Sequence, residues 1–465
     1  MVPIKAQLRR LRFARSLLAA YAKRYRLIVG LVILAIFILA IGLFTIWPNI
    51  TRSNVLSIGY VGVFQEESIP QDILTLATEP LIGIDASGKP QPSLASHWTV
   101  TDDGKTYIVF LKDNLKWHDG TVVDAKDITI AIGNVTISAL NNKAIEFKLP
   151  NPITSFPTAL NLPVFKYQSY YGTGEFRIVK IDTSANVVRR ISLVPKNKQL
   201  PNVDIKFYDN EIQAQEALKI GEIKSVKINS GSLFENWPNF DISKKIDTSR
   251  VVTIFFNTQD PILAQQDTRQ ALNFAINRAD FNGTRALGPI SPQSWAYNSQ
   301  VKRYEYNTGK AKELLSKSNL GDTVIALTVA PGLETVAESI KRDWEAIGVK
   351  TILVMENVVP KKFQALLATN LISADPDQYG QWHSAYTQTT NITQYKNVKI
   401  DKLLEDGRLI ADLDARRQIY FDFQRFLTED CPAIFLYHPQ EFQITYKNAS
   451  ELLSKLPQIW EAEGN

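Results

Sequence analysis

The chain has 465 residues, of which 45% are hydrophobic and 21% charged, and its mean hydropathy is −0.12. This composition is typical of a globular protein with several domains, and it excludes a disordered chain and a transporter built from many membrane helices. The single cysteine, Cys431, excludes an internal disulfide framework and any metal site made from several cysteines.

Positive charge is concentrated at the amino terminus. Residues 1–26 contain eight Lys and Arg and no acidic residue, so the rest of the chain is net acidic although the whole carries +5. We therefore expect no nucleic-acid partner for the main body. Residues 5–26 have a basic amphipathic pattern, which predicts that 1–26 is a cytoplasmic segment lying on an anionic membrane surface.

Residues 27–47 form an uncharged, apolar run. As a helix this run is about 30 Å long, which matches one bilayer core, and Trp47 suits the membrane interface. A cleaved signal peptide is the alternative, but its apolar stretch is shorter and ends at a small-residue cleavage site, which is missing after Trp47. We therefore expect one uncleaved transmembrane signal anchor in the cell membrane. The basic flank predicts a cytoplasmic amino terminus and an extracytoplasmic main body.

Short strands and turns are predicted over residues 51–250, which indicates a mixed, β-rich first lobe. The first strand begins at Val55, and Asp103-Gly104 predicts the turn of a hairpin. Further strands are predicted over 135–149, around a turn at Asn141-Asn142, and over 175–195 and 203–208.

Strands and helices alternate after about residue 250, which predicts an α/β second lobe over 251–432 with a mainly parallel sheet. The predicted strands are 251–257, 323–329 and 349–354, and the predicted helices are 265–277, 334–346, 360–367, 401–406 and 416–428. Two last strands, 434–437 and 442–446, predict that residues 433–465 return to the first lobe.

Motifs of catalysis and metal binding are missing from the sequence. The four histidines have no second histidine at metal-ligand spacing, and the sequence contains neither a nucleophile elbow nor a Walker A loop. Gly172-Thr-Gly174 lacks the third glycine of a dinucleotide-binding turn. We therefore expect no enzymatic activity, no cofactor and no metal site.

A series of motifs over residues 55–447 resembles the family 5 extracellular solute-binding proteins, the dipeptide, oligopeptide and nickel receptors of ABC importers. Each motif is weak alone, but they occur in the order found in the family. They include Pro92-Ser-Leu-Ala-Ser-His-Trp, Thr101-Asp-Asp-Gly-Lys-Thr-Tyr, Trp117-His-Asp-Gly-Thr, Gly172-Thr-Gly-Glu-Phe, Thr268-Arg-Gln-Ala-Leu-Asn-Phe-Ala-Ile-Asn-Arg and Trp344-Glu-Ala-Ile-Gly-Val.

The resemblance implies an α/β, two-lobe type II periplasmic-binding-protein fold with a hinge, preceded here by the transmembrane helix. It also implies a monomeric receptor that binds a peptide or another small solute between its lobes and delivers it to ABC permease subunits. A tethered sensor or scaffold that acts through residues 1–26 is the alternative.

Two departures from the family pattern bear on the ligand. The small subdomain that usually follows the position of Asp127 is shortened here, so the first lobe is smaller. Peptide receptors of the family hold the ligand α-amine with an aspartate, but the corresponding position is Ile372. Asp375 or Asp377 could take the role of the family's aspartate. Otherwise the protein does not bind the ligand's α-amine, or its ligand is not a free peptide.

Candidate ligand-binding residues follow from the resemblance and from their side chains, because clefts use amphipathic aromatics with a few polar groups. Each has interior packing or a tight turn as its alternative role. An oligosaccharide stacked on Trp295 or Trp382 stays open, and nickel is disfavoured because histidines are few. The candidates are Asp375, Asp377, Tyr379, Trp382, His383, Ser384, Trp295, Tyr297, Gly172, Thr173, Gly174 and Asn391.

Overall fold

The computed structural model describes Leu34 and residues 54–456, except 102, 280, 319–323, 357–359 and 374. The chain divides into two compact units, Met1–Val55 and Leu56–Asn465. The predicted basic segment 1–26 and membrane helix 27–47 lie outside the described residues, apart from Leu34. Within the described part of the chain, no helix is long and apolar enough to cross a membrane.

Strands and helices of the described residues are labelled here in chain order. The strands are β1 (Val55–Val61), β2 (Ile82–Ile84), β3 (Pro90–Pro92), β4 (Ala95–Val100), β5 (Thr106–Leu111), β6 (Thr136–Asn141), β7 (Ala144–Lys148), β8 (Phe176–Ser184), β9 (Val187–Pro195), β10 (Asn202–Tyr208), β11 (Ser225–Ile228), β12 (Phe240–Ile246), β13 (Arg250–Phe256), β14 (Gly283–Arg285), β15 (Val324–Val329), β16 (Lys350–Met355), β17 (Ala365–Leu371) and β18 (Ala433–Tyr446). The helices are α1 (Gln71–Leu74), α2 (Phe156–Ala159), α3 (Glu211–Lys219), α4 (Gln266–Ala275), α5 (Thr308–Leu315), α6 (Glu334–Ala346), α7 (Tyr379–Trp382), α8 (Val398–Leu409), α9 (Leu413–Asp430) and α10 (Lys447–Leu453).

The described part of the first lobe has two main sheets, and β2 and β3 pair separately from them. The larger runs β11-β1-β10-β9-β8, and the smaller runs β4-β5-β7-β6. The smaller sheet contains both predicted hairpins, and β5 shows why they form. Its alternate residues Tyr107, Val109 and Leu111 are buried against Trp117, so one face of the strand belongs to the core.

The second lobe is built on the order β16-β15-β17-β13-β18. β15 is parallel to β16 and β17, but β13 is antiparallel to β17 and to β18. The prediction of a mainly parallel sheet is therefore wrong, and the sheet is mixed.

The helix predicted at 360–367 is also wrong, because β17 begins at Ala365. Residues 365–368 are all buried between β13 and β15. A short, fully apolar run has no periodicity that separates a central strand from a buried helix, and its place in the sheet overrides the helical preference of Ala and Leu.

β18 connects the two lobes. Its first half pairs with β13 up to Tyr437, and its second half pairs with β11 and β12 from Gln440 onward. The chain was predicted to return to the first lobe at residue 433. In the structure β18 begins there in the second lobe and passes into the first-lobe sheet near Pro439. The other crossing is the short link from β12 to β13. Arg250 at this link forms ion pairs with Asp247 and Glu441.

Candidate functional site

A cleft of about 750 Å³ lies between the lobes. Its first-lobe wall comes from residues 132–135, which precede β6, and from residues 149–159, which follow β7. Its second-lobe wall comes from the loop after β17 and from the last turns of α8.

Direct hydrogen bonds join the two walls at one end of the cleft. The Thr154 amide donates to the Arg408 carbonyl at 2.7 Å, and the Thr154 hydroxyl lies 2.9 Å from the same oxygen. The neighbouring Ser155 hydroxyl donates to Asp377 Oδ2 at 3.3 Å. The structure is therefore one in which the two lobes touch across the cleft.

Asp375 forms a buried ion pair. Its Oδ1 lies 3.2 Å from Arg416 Nη2, and both side chains are less than a tenth exposed. Burial raises the pKa of Asp375 above its usual range, although the nearby Arg416 charge opposes this shift. Asp375 also accepts a hydrogen bond from the Asp377 amide at 2.9 Å, so the pair holds the loop in place.

Asp377 is paired as well. Arg408 Nε donates to its Oδ2 at 2.7 Å, and its Oδ1 accepts from the Tyr379 amide at 3.0 Å. The Arg408 guanidinium also lies 3.9 Å from the centre of the Tyr379 ring. An arginine thus neutralises each of the two aspartates considered as amine ligands.

An aromatic wall completes this side of the cleft. Tyr379 stacks on His383 with ring centres 4.1 Å apart, and Tyr386 meets Tyr379 edge-on at 5.7 Å. His383 is buried behind Tyr379, and its Nε2 lies 3.4 Å from Glu405 Oε1. Because Arg408 and His383 cover the two faces of Tyr379, the wall offers the ligand the edge of that ring and the exposed ring of Tyr386. Aromatic groups beside a carboxylate suit recognition of an amphipathic ligand.

The close approach of α8 and α9 places the charged residues of this wall. A Cβ at Gly407 would lie 2.9 Å from the Tyr420 ring, so only glycine allows this contact. Arg416 then reaches the Gly407 carbonyl with its Nε at 2.7 Å. The end of α8, with Glu405 and Arg408, is thereby fixed at the cleft.

Three of the predicted site residues line the cleft: Asp375, Asp377 and Tyr379. His383 supports Tyr379 from behind. Trp382 is fully buried in the second-lobe core, and so does not line the cleft.

Other predicted residues shape the same loop from inside. Asn391 is fully buried, and its Nδ2 donates to the carbonyls of Trp382, His383 and Tyr395. The Ser384 amide and hydroxyl both donate to Asp401, which ties the loop to α8.

The remaining predicted residues do not line this cleft. The Trp295 amide donates to the Ser87 carbonyl at 2.9 Å, a contact between the lobes, and Tyr297 follows in the same turn. Gly172 and Gly174 pack on the backbone of Ala77, with Thr173 between them. A Cβ at Gly172 would be 2.2 Å from the Ala77 oxygen.

Sequence reasoning missed Glu405, Arg408, Arg416 and the first-lobe segment 149–159. The spacing of Glu405 and Arg408 places both on one face of a helix. This pattern is only a weak indication of a binding site, because exposed helix faces are commonly charged. Nothing local in the sequence pairs Arg416 with Asp375, 41 residues away. Among the described residues, no group of three His, Cys, Asp or Glu side chains could hold a metal ion.

Comparison with known proteins places this architecture among solute receptors. The family model of bacterial extracellular solute-binding proteins, family 5, matches residues 89–391. The oligopeptide-binding protein AppA of Bacillus subtilis is 27% identical over 384 residues, covering 72% of this chain and 66% of AppA. Di/tripeptide-binding protein 3 of Pseudomonas aeruginosa is 20% identical over 452 residues, covering 77% of this chain and 83% of the relative.

Solved structures share the fold. NikZ from Campylobacter jejuni, in complex with Ni(L-His), superposes with a TM-score of 0.71 at 22% identity, covering 85% of this chain and 94% of NikZ. AppA from Bacillus subtilis, in complex with a nonapeptide, gives 0.68 at 22% identity with the same coverage.

The match to the family model confirms the resemblance recognised in the motifs. Members of this family are receptors without enzymatic activity, which confirms that the chain is not an enzyme. The chain belongs to the family 5 extracellular solute-binding proteins.

Proposed function

We propose that this protein is a membrane-anchored extracytoplasmic receptor that binds peptides between its lobes and delivers them to the permease subunits of an ABC importer. The observation that carries the proposal is the cleft, bounded by both lobes and lined by Tyr379, Tyr386 and Glu405. Relatives that cover most of this chain are named for binding oligopeptides, dipeptides and tripeptides.

The size of the cleft favours a short peptide. Its volume of about 750 Å³ lies within the range of roughly 300–1,000 Å³ that is usual for sites of small ligands. The aromatic wall would contact apolar side chains of the peptide, and the Glu405 carboxylate would bind a positive group of the peptide. Binding that makes contacts with both lobes would favour the state in which the lobes touch.

The amino-terminal sequence supports the anchor. Residues 27–47 are long enough and apolar enough to span a bilayer, and the basic flank 1–26 favours a cytoplasmic amino terminus. A receptor held at the membrane is close to the permease that it serves. We propose that it acts there as a monomer.

Native mass spectrometry of the full chain, purified in mild detergent, tests the proposal. We expect a series of bound peptides that is released on denaturation and whose lengths show the preference of the cleft. A protein that carries no peptide, and whose melting temperature does not change with a library of dipeptides to pentapeptides, would refute peptide binding. A ligand at 100 times its dissociation constant adds about 2.7 kcal/mol of stability, so real binding is measurable.

The basic segment favours one second candidate, a tethered sensor that acts through its cytoplasmic residues. Deletion of residues 5–24 separates the two. A transport receptor should still support peptide uptake by cells, whereas a sensor should lose its output. The oligosaccharide alternative was based on Trp295 and Trp382, and neither lines the cleft.

A further inference from the structure

We infer that Glu405 is the residue that selects a positively charged nitrogen on the ligand. The inference rests on the proposed function, because it names the group that this same cleft would read. The cleft lining has three carboxylates, Asp375, Asp377 and Glu405, and the structure separates them by their partners.

Two of these carboxylates are already neutralised. Asp375 is buried against Arg416, and Asp377 accepts from Arg408 at 2.7 Å. Because an arginine already balances the charge of each aspartate, a ligand cation gains less from either of them than from a carboxylate without such a partner. These two ion pairs therefore support the wall of the cleft, and a different side chain has to recognise a positive group on the ligand.

Glu405 differs because no described lysine or arginine forms an ion pair with it. Among the described residues, its side chain has one hydrogen-bond partner, His383 Nε2, at a long 3.4 Å. His383 Nδ1 accepts a hydrogen bond from the Ala385 amide at 3.1 Å, which leaves Nε2 to face Glu405. The contact is thus one long hydrogen bond.

The neighbouring acids of α8 have other partners. Asp401 accepts from Ser384, and Asp406 pairs with Lys402 at 2.7 Å. The Glu405 side chain is 47% exposed and lines the cleft. It therefore presents to the ligand a carboxylate that forms no ion pair with any described lysine or arginine.

The chemistry that fits this carboxylate is an ammonium or guanidinium group beside an aromatic face. Tyr386 lines the same wall with an exposed ring, and aromatic rings attract cations as carboxylates do. The cation has two sources in a peptide, the α-amine or the side chain of a lysine or arginine. Both would form the same charge-assisted hydrogen bond.

Titration calorimetry on the full chain in detergent tests the inference with three C-terminally amidated peptides: trialanine amide, N-acetyl-trialanine amide and N-acetyl-Ala-Lys-Ala amide. Wild-type protein should bind at least one peptide that carries a cation more tightly than the acetylated, uncharged one. Glu405→Gln should weaken binding of that peptide roughly 10- to 100-fold, as expected for one hydrogen bond to a charged group, and leave the uncharged peptide unchanged.

Asp406→Asn is the matched control, because it removes a carboxylate one residue away that pairs with Lys402 outside the cleft lining. It should leave all three affinities unchanged. If Glu405→Gln binds every peptide like wild type, or weakens charged and uncharged peptides equally, Glu405 does not select a cation. A wild-type chain that binds none of the three peptides overturns the peptide receptor itself, and this inference with it.

Discussion

Replacing Arg416 by methionine should destabilise the protein by about 3–5 kcal/mol, the usual loss when one partner of a buried ion pair is removed. The structure explains this magnitude. Asp375 would stay buried without its counter-charge, and the Gly407 carbonyl would lose its donor at 2.7 Å. Methionine keeps much of the side-chain volume, so the loss reports charge more than packing.

The loss should depend on pH in a defined direction. The pKa of Asp375 is already raised by burial, and removing Arg416 raises it further because that arginine lowers it. An acid whose folded-state pKa is raised binds more protons folded than unfolded, so stability falls as pH rises through the folded-state pKa. The difference in free energy of unfolding between wild type and Arg416→Met should therefore be larger at pH 7 than near pH 5.

Urea unfolding followed by circular dichroism measures both effects. Arg425→Met is the control on the same helix, because Arg425 pairs with Asp422 where both side chains are about half exposed, and it should cost under about 1 kcal/mol. Adding Asp375→Asn to Arg416→Met should restore part of the loss. If the single variant is as stable as the control at pH 7, the ion pair does not have the structural role argued here.

Three further outcomes are expected. Gly172→Ala should lower the melting temperature sharply, because its Cβ would overlap the Ala77 backbone, whereas Gly133→Ala meets no atom within 4 Å and should change little; equal melting temperatures would contradict the packing. Cys431 is fully buried and burial raises the pKa of its thiol, so Ellman's reagent should label it only in denaturant. Rapid labelling of the native protein would contradict this. Thr154→Val should weaken peptide binding several-fold and raise the radius of gyration in X-ray scattering, since it removes a hydrogen bond between the lobes; an unchanged scattering profile with ligand would contradict that role.

The fold was largely predictable because its signals are local. The hairpin at Asp103-Gly104 has a turn sequence and alternating strands, and α6 has an apolar face that buries Trp344. β17 was not predictable in the same way. Its buried run gains its strand conformation from β13 and β15, which lie far from it in sequence.

Of the residues that line the cleft, only those in the loop after β17 could be predicted from the sequence. Asp375, Asp377 and Tyr379 lie in one short segment, and the sequence drew attention to them together. Their partners come from α8 and α9, so the sequence alone could not show that Arg408 and Arg416 neutralise the two aspartates. The role of Glu405 emerges only by comparison with those pairs.

The strand that joins the lobes also sets the order in which the protein can finish folding. Ser225 in β11 contacts Thr445 in β18, 220 residues later. At roughly 5–20 residues per second of synthesis, β11 waits about 10–45 seconds for that neighbour. Until then β11 and β13 each have an unpaired edge, the kind of edge that promotes aggregation. A nascent chain of this protein therefore needs protection of both sheets until one late strand completes them together.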